Sequence, residues 1–271
     1  MTATTAPAAA GHDTMRISLR TFGSVLWRDI FVTWRELVPF LLQVVVQPFF
    51  TLFIFGKVLT GLGYVGNGYT AILLPGIVAL NGFLGALQNT TMPLIMDFSW
   101  TREIEDRLLA PLPIPLVAVE KMLFGAMRGI VAALIMVPVG FLILDDVSWP
   151  ASSWLPVTGI VILGSVVGAA IGMTIGTSVT PRRINILFAV ILMPLMFTGS
   201  TQFPWMGLSQ VRWFQVVCAL NPLTYVSEAM RAELVPAVPH IPMWIDVLVM
   251  AVTIGVFGVI GVKGFLRRAL D

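Results

Sequence analysis

The stretch LVPFLLQVVVQPFFTLFIFG, residues 37–56, contains 20 consecutive uncharged residues between Glu36 and Lys57. A helix needs roughly 20 apolar residues to cross the ~30 Å hydrocarbon core of a bilayer, so this stretch has the length of one crossing. The whole chain shares its character: 57% of the 271 residues are hydrophobic and 11% are charged, whereas soluble domains average about a quarter charged residues. The sequence therefore predicts an all-α integral membrane protein.

Six membrane-spanning helices are predicted when the other uncharged runs are measured in the same way. A Gly-rich stretch at residues 61–68 separates the first run from the second, and clustered glycines usually mark a turn. The predicted spans lie at about 37–56, 69–96, 117–144, 155–179, 184–199 and 243–266. Residues 37–271 thus form one six-span domain, which leaves no room for a separate soluble catalytic domain.

The distribution of lysine and arginine predicts the orientation. Of the 16 such residues, 12 fall on one side of the predicted spans, and the positive-inside rule assigns that side, with both termini, to the cytoplasm. Residues 1–15 lack Lys, Arg and an apolar core, so we expect a disordered cytoplasmic tail rather than a signal peptide. The chain is predicted to be a multi-pass protein of the cell (inner or plasma) membrane. Because topology explains the basic residues, no nucleic-acid partner is expected.

An amphipathic helix is predicted for residues 16–36, ahead of the first span. At about 100° per residue, four arginines fall on one face and four apolar residues on the opposite face. The first group is Arg16, Arg20, Arg28 and Arg35, and the second is Leu19, Phe22, Leu26 and Ile30. Such a helix lies in the plane of the membrane interface. Two interpretations remain open: the helix is only a basic anchor, or it also docks a cytoplasmic partner.

A short charged cytoplasmic helix is predicted at about residues 99–110. The stretch SWTREIEDRLLAPLPIP, residues 99–115, places five charges in the six positions 102–107. Ser99 or Thr101 suits a helix N-cap, the acids that follow suit the positive N-terminus of a helix, and three prolines end it. The alternative interpretation is a solvated loop whose charges only keep it out of the lipid.

A re-entrant hairpin of two short helices is predicted on the outer side, at about residues 205–235. The uncharged run 213–227 has only 15 residues, too few for a crossing. Asn221 and Pro222 suit the cap and the first residue of a new helix. Glu228 lies three residues before Arg231, so the two side chains share a helical face and can pair. The pair either neutralises two charges near the lipid or takes part in gating an outer exit.

Two features inside the predicted spans are interpreted in two ways each. Arg128 is a charge well inside the third span. It either snorkels to the cytoplasmic surface or faces a path through the membrane, where it would meet an anionic head group. Five glycines recur at four- to five-residue spacing in the fourth span: Gly159, Gly164, Gly168, Gly172 and Gly176. They predict close helix packing, either within the chain or between two copies of it. Asp246 and Lys263 lie near enough to the ends of the last span to snorkel.

No enzymatic site is predicted. The Gly-Lys pair at positions 56 and 57 is followed by Val58, so it is not a phosphate-binding loop, and neither H-E-x-x-H nor G-x-S-x-G occurs. We expect the chain to bind no catalytic metal or cofactor. An ion-coupled carrier would need acids or histidines in mid-membrane, and the predicted spans have none there. That class is disfavoured but stays an alternative, as does a non-transporting assembly subunit.

Two quoted segments carry a resemblance to a known family. TREIEDRLLAPLPIPLVAVEK, after the second span, and FP…NPLTYVSEAMRAEL, before the last, resemble the two hallmarks of type-2 ABC exporter permeases. The subgroup it most resembles is the daunorubicin-resistance-like drug and lipid export permeases. The resemblance implies ATP-driven export of a hydrophobic or amphipathic drug, lipid or glycolipid. It also implies a second permease half, identical or homologous, and cytoplasmic ABC ATPase subunits that bind the ATP and Mg.

The resemblance also implies roles for individual residues. The charged helix would be a coupling helix inserted into a groove of the ATPase, and residues 16–36 would be a connecting helix at the same interface. The coupling residues would be Arg102, Glu103, Glu105, Asp106 and Arg107. The family often places a glycine where this chain has Asp106 and Arg107, which leaves the register on the ATPase open. ATP binding would then tilt the first, second and fifth spans of each half.

Overall fold

All regular structure in the described part of the chain is helical. The computed structural model describes residues 10–35, 37–66, 68–98, 113–144 and 147–270. Within these ranges, five helices are long and apolar enough to cross a membrane. We number them α2 (Val38–Gly61), α3 (Tyr69–Met96), α4 (Ile114–Ile143), α5 (Ala151–Ser178) and α9 (Met243–Leu270), with α1 (Ala10–Arg35) ahead of them. The prediction of an all-α membrane protein is confirmed.

The sixth predicted span, residues 184–199, is a shorter helix, α6. It consists of Ile184–Leu187, a π-helical stretch Phe188–Leu192 and Met193–Thr198. Fifteen helical residues rise about 22 Å at 1.5 Å each, less than the hydrocarbon core requires. The sixth crossing therefore stays a prediction.

Helices α5 and α9 run parallel to each other. A Cβ added to Gly261 would touch Met173, and one added to Gly264 would touch Thr177. Both residue numbers rise together along the contact, so the two helices point the same way. The chain between them, residues 179–242, must therefore return from one end of the bundle to the other. We call the end with α1 and the last turn of α9 the terminal end, and the opposite end the hairpin end.

Helix α3 forms the centre of the bundle, between α4 and α5. In its most apolar 18-residue window 78% of the residues are buried, against 22% in the corresponding windows of α2 and α9. The glycines of α5 permit this packing, because a Cβ on Gly168 or Gly172 would collide with a backbone carbonyl of α3. The hydroxyl of Thr91 donates to the carbonyl of Gly172 at 3.0 Å. Polar contacts of this kind hold membrane helices together.

The prediction of close packing along the glycine row is thus confirmed within the chain, with one exception. A Cβ added to Gly164 would touch Val226, and one added to Gly176 would touch Leu94. Gly159 has no atom within 4 Å of an added Cβ. Packing within the chain therefore does not include Gly159, because the row leaves the helix contact near the start of α5. Packing of Gly159 against a second copy stays a prediction.

Helix α1 includes residues 16–35 of the predicted amphipathic segment and begins six residues earlier, at Ala10. Where its side chains are described, Arg20, Arg28 and Arg35 are exposed, whereas Phe22, Leu26 and Ile30 are partly buried. Phe22 packs against a cluster that contains Leu94 and Phe265. Residues 1–9 of the predicted tail lie outside the described residues, and so do all five coupling residues of the segment 99–110.

The hairpin end carries the two short helices that the sequence predicts for residues 205–235. A 3-10 turn, Trp205–Gln210, leads into α7 (Arg212–Ala219), and α8 (Pro222–Leu234) follows after a two-residue break. Helix α8 packs against α3, α5 and α9. The entry of this hairpin into the membrane stays a prediction.

Candidate functional site

An open cleft lies about halfway along α2 and α3, where these two helices meet α6. It holds about 610 Å³ of space, its open mouth included, and it continues along α6 past Leu192 and Met193. Seven polar side chains line it: Gln43, Gln47, Thr51, Asn81, Gln88, Asn89 and Gln202. Among the described residues that line the cleft, none is charged.

The α2 side of the cleft is a stripe of polar side chains on one helical face. Gln43, Gln47 and Thr51 follow each other at intervals of four residues, which places them one above the other. The amide nitrogen of Gln47 lies 3.1 Å from the sulfur of Met196 on α6. The Gln43 and Gln47 side chains are exposed in the chain as described. Amides at mid-helix would be costly against lipid tails, which cannot hydrogen-bond to them.

The α3 side of the cleft presents three more amides. Asn81 donates to the carbonyl of Ala132 at 2.9 Å, and Asn89 donates to the carbonyl of Gly85 at 2.7 Å. The half-buried amide of Gln88 has no hydrogen bond within the described part of the chain. None of these residues was predicted from the sequence to be a site residue. The signal for them was present as QVVVQ at 43–47, two amides four residues apart in an otherwise apolar span.

At the hairpin end, α8 is fixed by the residues that the sequence predicts there. Asn221 caps the helix, since its Oδ1 accepts from the backbone N–H of Leu223 at 2.9 Å, and Pro222 is the first helical residue. The Nδ2 of Asn221 donates to the carbonyl of Leu195 at 2.6 Å. The cap therefore also ties α8 to the last turn of α6, next to the cleft.

The predicted pair of Glu228 and Arg231 forms in the interior. Nη1 of Arg231 lies 2.6 Å from Oε1 of Glu228, and both side chains are buried. Nε of Arg231 donates to the carbonyl of Ile72, and Nη2 donates to the carbonyl of Ser200. Burial lowers the pKa of Arg231, while the charge and hydrogen bond of Glu228 raise it. This charged group is thus satisfied by one carboxylate and two carbonyls.

A second acid lies beside this pair. Asp246, in the first turn of α9, is fully buried, and neither of its carboxylate oxygens has a hydrogen-bond partner among the described residues. It is close enough to Glu228 for the two carboxylates to repel each other. The prediction that Asp246 snorkels is therefore wrong, because α8 covers the start of α9. Asp246 lies in the first turn of α9, where the positive helix N-terminus favours an acidic side chain. Lys263, in contrast, is exposed, and its snorkelling stays a prediction.

At the terminal end, one lysine joins three elements. Nζ of Lys121 in α4 lies 2.8 Å from Oδ2 of Asp97, just after α3, and 4.0 Å from Oδ2 of Asp29 in α1. The three side chains are 8–10% exposed. The contact with Asp97 is an ion pair rather than a well-aligned hydrogen bond. The cluster therefore links the end of α3 and the first half of α4 to α1.

Arg128 lies in α4, facing α2. Its guanidinium carbon is 4.7 Å from the ring centre of Phe40 and 5.8 Å from that of Phe124. These distances are typical of cation–π contacts. The contact places Arg128 between two membrane helices, and both interpretations of its role stay predictions.

Comparison with known proteins agrees with this architecture. The family model of the ABC-2 type transporter matches residues 20–235. The chain is 26% identical to the "Putative transport permease ycf38" of Cyanophora paradoxa over 219 residues, which are 76% of this chain and 72% of that protein. It is also 26% identical to the protein of the same name from Pyropia yezoensis, over 77% of this chain and 72% of that one. No solved structure matches the chain significantly.

The matched range begins within α1 and ends just after α8, so it contains the cleft, the Lys121 cluster and the pair of Glu228 and Arg231. Five helices of membrane-spanning length are present in the described residues. Permeases of this kind associate in general with ABC ATPase partners. This chain is a multi-pass membrane protein and belongs to the ABC-2 type transporter family of permeases.

Proposed function

We propose that this chain is the transmembrane subunit of an ATP-driven ABC exporter in the cell membrane. It forms the pathway for a hydrophobic or amphipathic substrate, a drug, lipid or glycolipid, while a separate cytoplasmic ATPase binds ATP and Mg. The observation that carries the proposal is the polar cleft between three helices of a permease of this family. The subgroup akin to the daunorubicin-resistance permeases remains our preferred assignment.

A second permease half, identical or homologous, is part of the proposal. Most of α2 is uncovered in the single chain, although it carries exposed amides at mid-helix. Amides in such a position generally face another protein surface or a water-filled path rather than lipid. Two halves that turn their α2 faces toward each other would enclose the two clefts in one pathway.

Six crossings are proposed for each half. The parallel packing of α5 and α9 supports the sixth, since the chain between them has to traverse the bundle. Helix α6 and the residues around it would make this crossing. Both termini then lie on one side, which the excess of Lys and Arg assigns to the cytoplasm.

Coupling to the ATPase would pass through the terminal end. The segment 99–110, with Arg102, Glu103, Glu105, Asp106 and Arg107, would form the coupling helix in a groove of the ATPase. Closure of the ATPase on ATP would push this helix. Asp97 and Lys121 would transmit the push to α3 and α4, and Asp29 to α1. The two-state element would be the interface between the permease halves.

The hairpin end would form the outer gate. Asn221 and Pro222 fix the start of α8, and Glu228 with Arg231 fixes its middle against the backbone of α3. Helix α8 would then move as one body with α3.

The test is ATP hydrolysis by the chain purified together with its candidate ATPase in lipid nanodiscs. We expect Glu105→Ala/Arg107→Ala to release the ATPase or to abolish substrate stimulation. Arg212→Ala/Glu233→Ala is the matched control, because it removes one acid and one base at the hairpin end and should leave hydrolysis unchanged. If no ABC ATPase binds the native chain, the proposed function is wrong, and a carrier or an assembly subunit has to be considered.

A further inference from the structure

We propose that the cleft between α2, α3 and α6 binds the neutral, hydroxyl-rich head group of an amphipathic molecule, such as a glycosyl or polyol lipid. The inference rests on the proposed function only in taking this ligand to be the transported one. It narrows the substrate class, since it excludes amphiphiles whose head group carries a net charge.

The chemistry of the lining carries the first step. An amide side chain has both donors and an acceptor, and a sugar hydroxyl also both donates and accepts. Six amides and one hydroxyl face the cleft, so they complement a head group with several hydroxyls. A phosphate or ammonium group would find no counter-charge among the described lining residues, and burying an unpaired ion is strongly unfavourable.

The unused hydrogen-bonding groups carry the second step. Gln43, Gln88 and Gln202 make no hydrogen bond within the described part of the chain. Asn81 and Asn89 use a donor on backbone carbonyls and keep an oxygen to offer. Lipid tails cannot satisfy these groups at mid-helix. The cleft therefore has donors and acceptors in excess of what the chain itself requires.

The adjoining wall carries the third step. Beyond Gln47 and Gln88 the space continues along Leu84, Leu192, Met193 and Met196. These side chains are apolar, and methionine adapts to irregular shapes. An alkyl chain can lie on this wall while its head group remains among the amides. The polar and apolar parts of the cleft thus match the two parts of one amphipathic ligand.

Native mass spectrometry of the purified full chain in a polyoxyethylene detergent tests the inference without an ATPase. The probes are dioctanoylglycerol with a glucosyl head group, dioctanoyl phosphatidylglycerol as the anionic counterpart, and dioctanoylglycerol itself. We expect the glucosyl lipid to bind about tenfold more tightly than the other two, as expected for a few net hydrogen bonds. Equal binding of all three probes would overturn the inference.

Variants then locate the binding. Gln47→Leu/Gln88→Leu should weaken the glucosyl lipid about tenfold and leave unmodified dioctanoylglycerol unchanged. Gln210→Leu makes the same chemical change at an exposed residue of the 205–210 turn and should have no effect. If the double variant separates two copies of the chain but binds the glucosyl lipid as before, the amides serve an interface between copies and the inference is wrong.

A gain of binding completes the test, because misfolding cannot produce it. Gln88→Glu adds one negative charge to the cleft and should shift the preference toward a glucosaminyl lipid, whose amine is cationic. An unchanged preference would contradict the placement of the head group. A chain that binds no ATPase but selects the glucosyl lipid refutes the proposed function alone, and the opposite result refutes this inference alone.

Discussion

The two ends of the bundle each bring one basic side chain together with two acids, but they connect them differently. At the hairpin end, Arg231 and Glu228 are three residues apart on α8, and Asp246 lies beside them without a hydrogen bond. At the terminal end, Lys121, Asp97 and Asp29 come from three separate parts of the chain.

The hairpin end is thus a fixed element, whereas the terminal end connects elements that can separate. A pair within one helical turn forms with the helix itself, and the carbonyls of Ile72 and Ser200 then lock Arg231 to its surroundings. A cluster drawn from three elements exists only while those elements are docked. Changes at the hairpin end should therefore alter stability most, and changes at the terminal end should alter movement most.

The largest effect is expected for Arg231→Ala. The substitution leaves Glu228 buried without a counter-charge next to Asp246, which should cost about 3–5 kcal/mol of unfolding free energy. Thermal unfolding of the purified protein measures the loss. Glu228→Gln/Arg231→Met removes both charges and should recover much of the stability. A loss under 1 kcal/mol for Arg231→Ala would contradict the description of this end as fixed.

Lys121→Met should have the second largest effect, a loss of about 2 kcal/mol of unfolding free energy. The substitution leaves Asp97 and Asp29 near each other, at slightly exposed positions, without their shared counter-charge. The more specific expectation concerns coupling: ATP hydrolysis should continue while stimulation by substrate falls. Lys121→Arg keeps the charge and should behave as the native chain does. If the free energy of unfolding and the stimulation by substrate fell in proportion, the cluster would only stabilise the fold and would not transmit movement.

Asp246→Asn should stabilise the protein by about 1 kcal/mol, since it removes a buried carboxyl group whose oxygens have no hydrogen-bond partner among the described residues. The same acid-to-amide change at the neighbouring Glu228 should destabilise it, because Arg231 loses its partner. The pair of melting temperatures compares the two acids directly. Equal shifts for both variants would mean that Asp246 has a partner outside the described residues.

The smallest effect is expected for Asp29→Asn. Its carboxylate lies 4.0 Å from Lys121, farther than Asp97 does, and we expect a loss of at most about 0.5 kcal/mol. Limited proteolysis within α1 should nevertheless become faster, because the ion pair between Asp29 of α1 and Lys121 of α4 is weakened. Unchanged cleavage would show that α1 is held by Phe22 and its apolar neighbours instead.

Features that depend on residues close in sequence could be predicted, and those that depend on distant neighbours could not. The cap at Asn221 and the pair of Glu228 and Arg231 follow from spacings of one to three residues. Asp246 was misjudged because its burial depends on α8, which the sequence does not place over the start of α9. The cleft was missed for the same reason, since its amides come from α2, α3 and the region after α6.

The lengths of the helices show the same limit. The runs at 69–96 and 243–266 were predictable from hydropathy, and the structure places helices there. The run at 184–199 has similar apolar character, yet α6 is interrupted by a π-helical stretch and spans too little height by itself. Composition indicates that a segment is apolar, but it does not give the winding of its backbone.

That winding has a consequence for α2, which contains the π-helical stretch Leu52–Val58. Bonding from i to i+5 places more residues in each turn than an α-helix does, so side chains before and after the stretch are out of phase. The lining of the cleft on α2 ends at Thr51, the last residue before this change of phase. Rewinding Leu52–Val58 into α-helix would rotate the hairpin-end part of α2 relative to Gln43 and Gln47. Helix α2 therefore changes the phase of its side chains at the point where the polar stripe on its cleft face ends.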